Sequence, residues 1–222
     1  TNTQSTIMLL NLALKTGCKE FIYASSMSVY GDHENPLVNE KSIATPKSFY
    51  AVGKLSSEHY MRIYSTYGIK TTALRFFNVY GPGQNLDNLK QGMASIFLAQ
   101  AIANKHILIK GSKGRFRDFI YIDDIVESVL LSMGRENGKL YESYNVCNGE
   151  KVTVEKIVET IKLNLPYNVS TEYGEGTPGD QNGIIGDYSK ILKDLGWKGK
   201  MKFDEGIKEM IIWAKSSMKS QN

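Results

Sequence analysis

Short runs of β-branched and aromatic residues alternate along this chain with amphipathic stretches of roughly ten residues or more. Strands joined by helices of that length run parallel, and a parallel sheet must be covered by helices on both faces. The expected class is therefore α/β. Ile7, Leu10 and Leu14 recur at helical spacing, and Gly17 stops that helix after Lys15. Glu20–Ser25 reads as a buried strand that ends at the pair Ser25-Ser26. Phe49–Tyr67 reads as a helix opened by Pro46 and Ser48 and stopped by Gly68, and Lys70–Val79 as a second strand punctuated by Gly81-Pro82-Gly83.

Further along, the pattern predicts a helix over Gly92–Asn104, strands over His106–Lys110 and Arg117–Ile122, and a helix from Asp123-Asp124 to about Met133. Asp123 is expected as its N-cap and Asp124 as a first-turn acid. A strand over Tyr144–Cys147, a helix capped by Thr153 that runs to Leu163, and a strand over Val169–Tyr173 follow. Two helices, Tyr188–Leu195 and Asp204 to about Lys215, close the chain after the glycine-rich loop Gly174–Gly186. The regular alternation loosens near Gly81-Pro82-Gly83, where a change of domain is expected.

Composition narrows the function classes. A formal charge of +4 suits an anionic small molecule, and no block of basic residues argues for nucleic acid. No apolar stretch approaches the roughly 20 residues of a membrane span. Cys18 and Cys147 lack metal-ligand or redox spacing, so both are expected to be buried free thiols of a cytoplasmic protein. The chain is also expected to lack a phosphate-cradling Gly-x-Gly-x-x-Gly turn.

One stretch carries chemistry: Ser48-Phe49-Tyr50-Ala51-Val52-Gly53-Lys54. Its phenol and ammonium are four residues apart on one helix face. A cation beside a phenol favours the phenolate, the form that can act as a general base. Gly53 inside a helix costs about 1 kcal/mol relative to Ala, which predicts a close approach to the backbone there.

Tyr50-x-x-x-Lys54 stands in order with four other motifs: Ser25-Ser26-Met27-Ser28-Val29-Tyr30-Gly31, Arg75-Phe76-Phe77-Asn78-Val79-Tyr80-Gly81-Pro82-Gly83, Arg117-Asp118-Phe119-Ile120-Tyr121-Ile122-Asp123-Asp124, and Pro178-Gly179-Asp180. With these the chain resembles the extended short-chain dehydrogenase/reductases that act on nucleotide sugars, most closely the UDP-glucose 4-epimerase group. The resemblance implies a Rossmann-like, doubly wound parallel sheet with its N-terminal strands missing, plus a smaller α/β substrate-binding domain. Residues 1–80 would be the C-terminal part of the NAD-binding domain. Residues 81–222 would mainly bind substrate, with segments around 115–165 returning to the first domain.

The resemblance also implies roles. Tyr50 would be the acid/base, Ser26 the partner of the reacting sugar hydroxyl, and Lys54 the residue on the cofactor ribose. Ser25, Tyr50, Lys54 and Phe77 would contact NAD; Ser26, Asn78, Arg117 and Asp180 would contact a nucleotide sugar, a UDP-hexose. Thr177 stands where the family commonly has an arginine. Members that dehydrate the sugar carry Asp-Glu where this chain has Met27-Ser28, so dehydration is disfavoured. The resemblance further implies a homodimer through paired helices, and roughly a hundred residues of nucleotide-binding units ahead of Thr1. The rival readings are a 4-keto nucleotide-sugar reductase and a truncated, non-catalytic nucleotide-sugar binding fragment.

Overall fold

The computed structural model describes residues 2–89, 92–136, 139–176 and 183–219. The elements run α1 (Asn2–Lys15), β1 (Glu20–Ser26), a 3-10 turn (Met27–Tyr30), β2 (Leu37–Val38), α2 (Phe49–Ser65), β3 (Lys70–Phe76) and β4 (Asn78–Tyr80). They continue with α3 (Met93–Asn104), β5 (His106–Lys110), β6 (Phe116–Arg117), β7 (Phe119–Tyr121), α4 (Ile122–Ser132), β8 (Tyr141–Val146), β9 (Val152–Thr153) and α5 (Val154–Leu163). The last are β10 (Ser170–Gly174), β11 (Ile185–Gly186), α6 (Ser189–Leu195) and α7 (Phe203–Lys219).

The central sheet has the order β1-β3-β8 with all pairings parallel. Ser26, Phe76 and Val146 share one register row at its carboxyl edge. Alternation along β3 sends neighbouring side chains to opposite faces. Ala73 packs with Leu10 of α1 and Met61 of α2, while Leu74 joins a cluster that holds Ile125 of α4 and Ile191 of α6. Helices therefore cover both faces, as the α/β expectation requires, and β3 is buried from Thr71 to Arg75. A separate core of α3, β5, α5 and α7 side chains, including Leu98, Ile107, Ile157 and Met210, packs around Tyr80 and Phe119.

Two expected strands are each broken at one residue. The run Lys70–Val79 divides at Phe77: the Phe77 amide still donates to Val146 of the central sheet, but the Asn78 amide donates to the Asp118 carbonyl, and β4 pairs with β7. The run Arg117–Ile122 divides at Asp118, with β6 pairing β9 on one side and β7 pairing β4 on the other. Tyr121, not Asp123, is the N-cap of α4, because the helix already starts at Ile122, two residues earlier than an Asp123 cap requires. Asp123 and Asp124 both fall in the first turn, and the Asp124 carboxylate accepts the Lys200 and Met201 amides.

Local signals hold better elsewhere. Ser48 caps α2 by accepting the Ala51 amide, and Thr153 caps α5 by accepting the Lys156 amide. Gly31, at φ +67°, ends the 3-10 turn where an added Cβ would lie 1.9 Å from the Thr45 carbonyl oxygen. At Gly53 α1 approaches the backbone as expected, the Thr3 hydroxyl donating to the Gly53 carbonyl at 3.2 Å, although a Cβ there would still sit 3.6 Å from Asn2 and Thr3, at ordinary contact distance. Cys147 is buried as expected, but Cys18 is exposed, since it lies in the turn after Gly17 rather than on a packed face. Among the described residues no helix is long and apolar enough to cross a membrane, and none group as a metal site.

Candidate active site

The carboxyl ends of β1 and β3 open into a cavity of about 790 Å³. Crevices outside the carboxyl ends of parallel strands are where open α/β sheets bind ligands. Ser25, Ser26, Tyr50, Lys54, Phe77, Asn78 and Arg117 all line this cavity. Asp180, with the neighbouring Thr177, lies outside the described residues.

Each side chain owes its place to its element. Tyr50 and Lys54 lie one turn apart on α2, and the Lys54 ammonium is 5.5 Å from the Tyr50 ring centroid. The ammonium also donates to the Ala24 carbonyl at 2.6 Å, which ties α2 to the end of β1. Tyr50 is 49% exposed and faces the opening. Ser25 and Ser26 point to opposite sides of β1. The Ser25 hydroxyl, buried against α2, donates to Glu58 at 2.5 Å, while Ser26 caps the 3-10 turn by accepting the Ser28 amide. Phe77 is 4% exposed, so little of its ring is open to a ligand.

Asn78 Nδ2 donates to the Asp118 carbonyl at 2.9 Å, and Arg117 Nη1 donates to the Phe116 carbonyl at 2.7 Å. Burial, and after it the charge of Arg115, holds the Arg117 pKa below the ordinary arginine value. Lys54 and Arg117 are the charged side chains among the described lining residues, and no carboxylate lines the cavity with them. Such a wall suits an anion.

Sequence reasoning assigned no task to several neighbours. Glu58, two turns past Tyr50 on the same face of α2, holds Arg75 and Ser25 beneath the cavity. Asp118 sits between two site residues but turns inward, where its carboxylate accepts the amides of Asn148, Gly149 and Gly186. Burial pushes its pKa up to about 7 against those three bonds. Gln84, Asn85 and Asn88 add carboxamides to the cavity wall, and buried Gln84 Oε1 has no hydrogen-bond partner among the described residues. The i, i+4 ladder Tyr50, Lys54, Glu58 was visible in the sequence as a signal for Glu58.

A phenol and an ammonium on one helix, hydroxyls at a strand end and a guanidinium on the wall of the same cavity can move a proton on a ligand and hold its anion. The family model described as GDP-mannose 4,6 dehydratase matches residues 1–210. The chain belongs to this family, the extended short-chain dehydrogenase/reductases. Among family relatives, the chain is 32% identical to the dTDP-4-dehydro-6-deoxyglucose reductase of Escherichia coli, over 95% of its own length and 66% of that protein. The fold matches UDP-glucose 4-epimerase with UDP-glucose from Thermotoga maritima with a TM-score of 0.91 and 31% identity, covering 98% of this chain and 70% of that one. It also matches the Thermus thermophilus UDP-glucose 4-epimerase complex with NAD at a TM-score of 0.85 and 26% identity, covering 97% and 70%. The chain thus spans about two thirds of the length of these family members.

One Gly-x-Gly-x-x-Gly spacing does occur, contrary to expectation, at Gly174-Glu175-Gly176-Thr177-Pro178-Gly179. Gly174 closes β10, and the next described element is the strand β11, not a helix whose N-terminus could hold a pyrophosphate. Thr177, Pro178 and Gly179 lie outside the described residues.

Proposed function

We propose that this chain forms the catalytic and substrate-binding part of an NAD-dependent nucleotide-sugar epimerase of the UDP-glucose 4-epimerase kind. The observation that carries the reading is the convergence of Ser26, Tyr50, Lys54, Asn78 and Arg117 on one cavity with two cations and no described carboxylate. A nicotinamide cofactor suits the phenol and ammonium of α2, which share the cavity wall with Phe77. The glycine-rich loop for its pyrophosphate is not found in the described residues, so the reading requires that loop from elsewhere in the polypeptide. In the proposed division, residues 1–80 with returning segments around 115–165 serve the cofactor, and the rest mainly serve the substrate.

NAD, when bound, supplies the hydride acceptor and later the hydride donor. Tyr50 takes the proton from the sugar hydroxyl as the keto sugar forms, and returns it after the sugar has presented its other face. Lys54 keeps a positive charge beside Tyr50 and toward the cofactor ribose. Asn78 and Arg117 grip the diphosphate, and an anion there offsets both influences that disfavour the Arg117 cation. Met27 and Ser28 supply neither acid nor base, so the dehydration named in the family description is not the reaction proposed. The paired helices α1 and α2 leave Met8, Leu9, Leu12, Val52 and Ile63 exposed, apolar side chains that would suit a homodimer through these helices.

The resemblance to the E. coli reductase favours one second reading, reduction of a 4-keto nucleotide sugar by the same Ser26, Tyr50 and Lys54. Cofactor balance separates the two. Incubation with NAD and UDP-glucose should yield UDP-galactose with no net NADH, whereas a reductase consumes NADH against a 4-keto sugar. Tyr50→Phe should lower turnover about 100-fold or more, within the range of a lost general acid/base, and leave the Kd for UDP-glucose nearly unchanged. Unchanged turnover would remove Tyr50 from the mechanism.

A further inference from the structure

The turn after β1 arranges two hydroxyls, and the reading above uses one of them. Ser26 Oγ accepts the Ser28 amide at 3.2 Å and the Ser28 hydroxyl at 3.0 Å. A serine oxygen has two lone pairs and one proton. Both lone pairs are therefore occupied, and the proton is what Ser26 has left to offer. Both serines line the large cavity.

We infer that Ser28 is a positioning residue that fixes Ser26 as a hydrogen-bond donor toward an oxygen in the cavity that can only accept. The inference rests on the nucleotide-sugar reading. A sugar hydroxyl both gives and takes hydrogen bonds, but a keto oxygen has lone pairs alone. A donor-only Ser26 favours the oxidised sugar over the alcohol and leaves removal of the proton to Tyr50. The step balances: the C–H bond breaks with its electron pair going to the nicotinamide of NAD, the O–H bond breaks with its proton going to Tyr50, and the C=O bond forms. Differential binding of this kind raises turnover, because the interaction is stronger after the reaction has begun than before it.

Ser28 thereby has a task at a position where dehydrating relatives carry an ionisable side chain. The turn itself does not need the hydroxyl. The Ser28 amide still caps on Ser26 and the Gly31 amide still donates to the Ser28 carbonyl when Ser28 is alanine.

The test compares the protein as its native source makes it with Ser28→Ala and Ser28→Thr, by calorimetric binding of a 4-keto nucleotide hexose and of its 4-deoxy counterpart, alongside steady-state turnover. The wild type should prefer the keto ligand by roughly tenfold, about what one hydrogen bond supplies. Ser28→Ala should lose most of that preference and lower kcat by roughly fivefold to tenfold with KM little changed, and Ser28→Thr, which keeps the hydroxyl, should restore both. A Ser28→Ala protein that retains the keto preference and kcat overturns the inference, as does one in which KM alone rises, since that marks direct contact with substrate. A wild type that binds neither ligand overturns the nucleotide-sugar reading instead, and the inference with it.

Discussion

The Glu58 carboxylate and the Arg75 guanidinium lie edge to edge beneath the cavity, joined through Nε to Oε1 at 3.0 Å and through Nη2 to Oε2 at 2.7 Å. Both are almost wholly buried. Arg75 also donates to the Tyr30 hydroxyl, which donates to Asn145 on β8, and Glu58 takes the Ser25 hydroxyl. The pair therefore ties the helix that carries Tyr50 and Lys54 to the carboxyl ends of β1, β3 and β8.

A buried ion pair adds little over well-packed apolar groups, but removing one partner strands the other charge. Glu58→Ala should lower unfolding free energy by about 3–5 kcal/mol in a urea titration, and the double variant Glu58→Leu with Arg75→Met should recover much of that loss. Equal losses in the single and double variants would show that the charge is not what the fold depends on.

Arg117 should matter to ligand affinity more than to stability. Arg117→Ala is expected to weaken UDP binding by about 10-fold to 100-fold, the value of a charged hydrogen-bonded contact. Arg117→Lys should recover only part, because an ammonium lacks the planar fork that meets two phosphate oxygens. Calorimetry with UDP reads both, and an unaltered Kd in Arg117→Ala would assign the anion elsewhere.

Asp118 predicts a pH dependence. Burial raises its carboxyl to about 7 in the folded protein, above the value near 4 of an unfolded aspartate. Protons therefore favour the folded state at this residue. Its stabilising contribution is complete below about pH 4 and is lost as pH rises through about 7. Thermal scans from pH 4 to 8 should show the wild-type midpoint falling more steeply than that of Asp118→Asn, which cannot ionise. The variant should also melt lower throughout, because its amide nitrogen faces backbone N–H groups that need an acceptor. Parallel curves would mean that Asp118 does not titrate in this range.

The helix that bears Tyr50 was legible in the sequence because its signals are local: Ser48 caps it, and Gly68 follows its last turn. The central strands were legible for the same reason. The breaks at Phe77 and Asp118 were not, since Lys70–Val79 reads as one strand and only its distant partners, β8 and β7, divide it. Cys18 was misjudged because a free cysteine is usually buried, whereas here Gly17 and Lys19 flank it and its place in a turn is set by Gly17. The convergence of Ser26, Tyr50, Asn78 and Arg117 was anticipated through family motifs, but the partners of Ser25 and the two bonds of Ser28 depend on distances that no spacing encodes.

The break at Phe77 has a mechanical consequence. Successive amides there are fastened to different sheets, Phe77 to β8 and Asn78 to the Asp118 carbonyl. One peptide plane thus separates the wall beside the helix that bears Tyr50 from a side chain proposed to grip the ligand's anion. The two walls of the cleft therefore meet at a covalent seam one planar peptide wide, which keeps them in step there instead of hinging them through a loop.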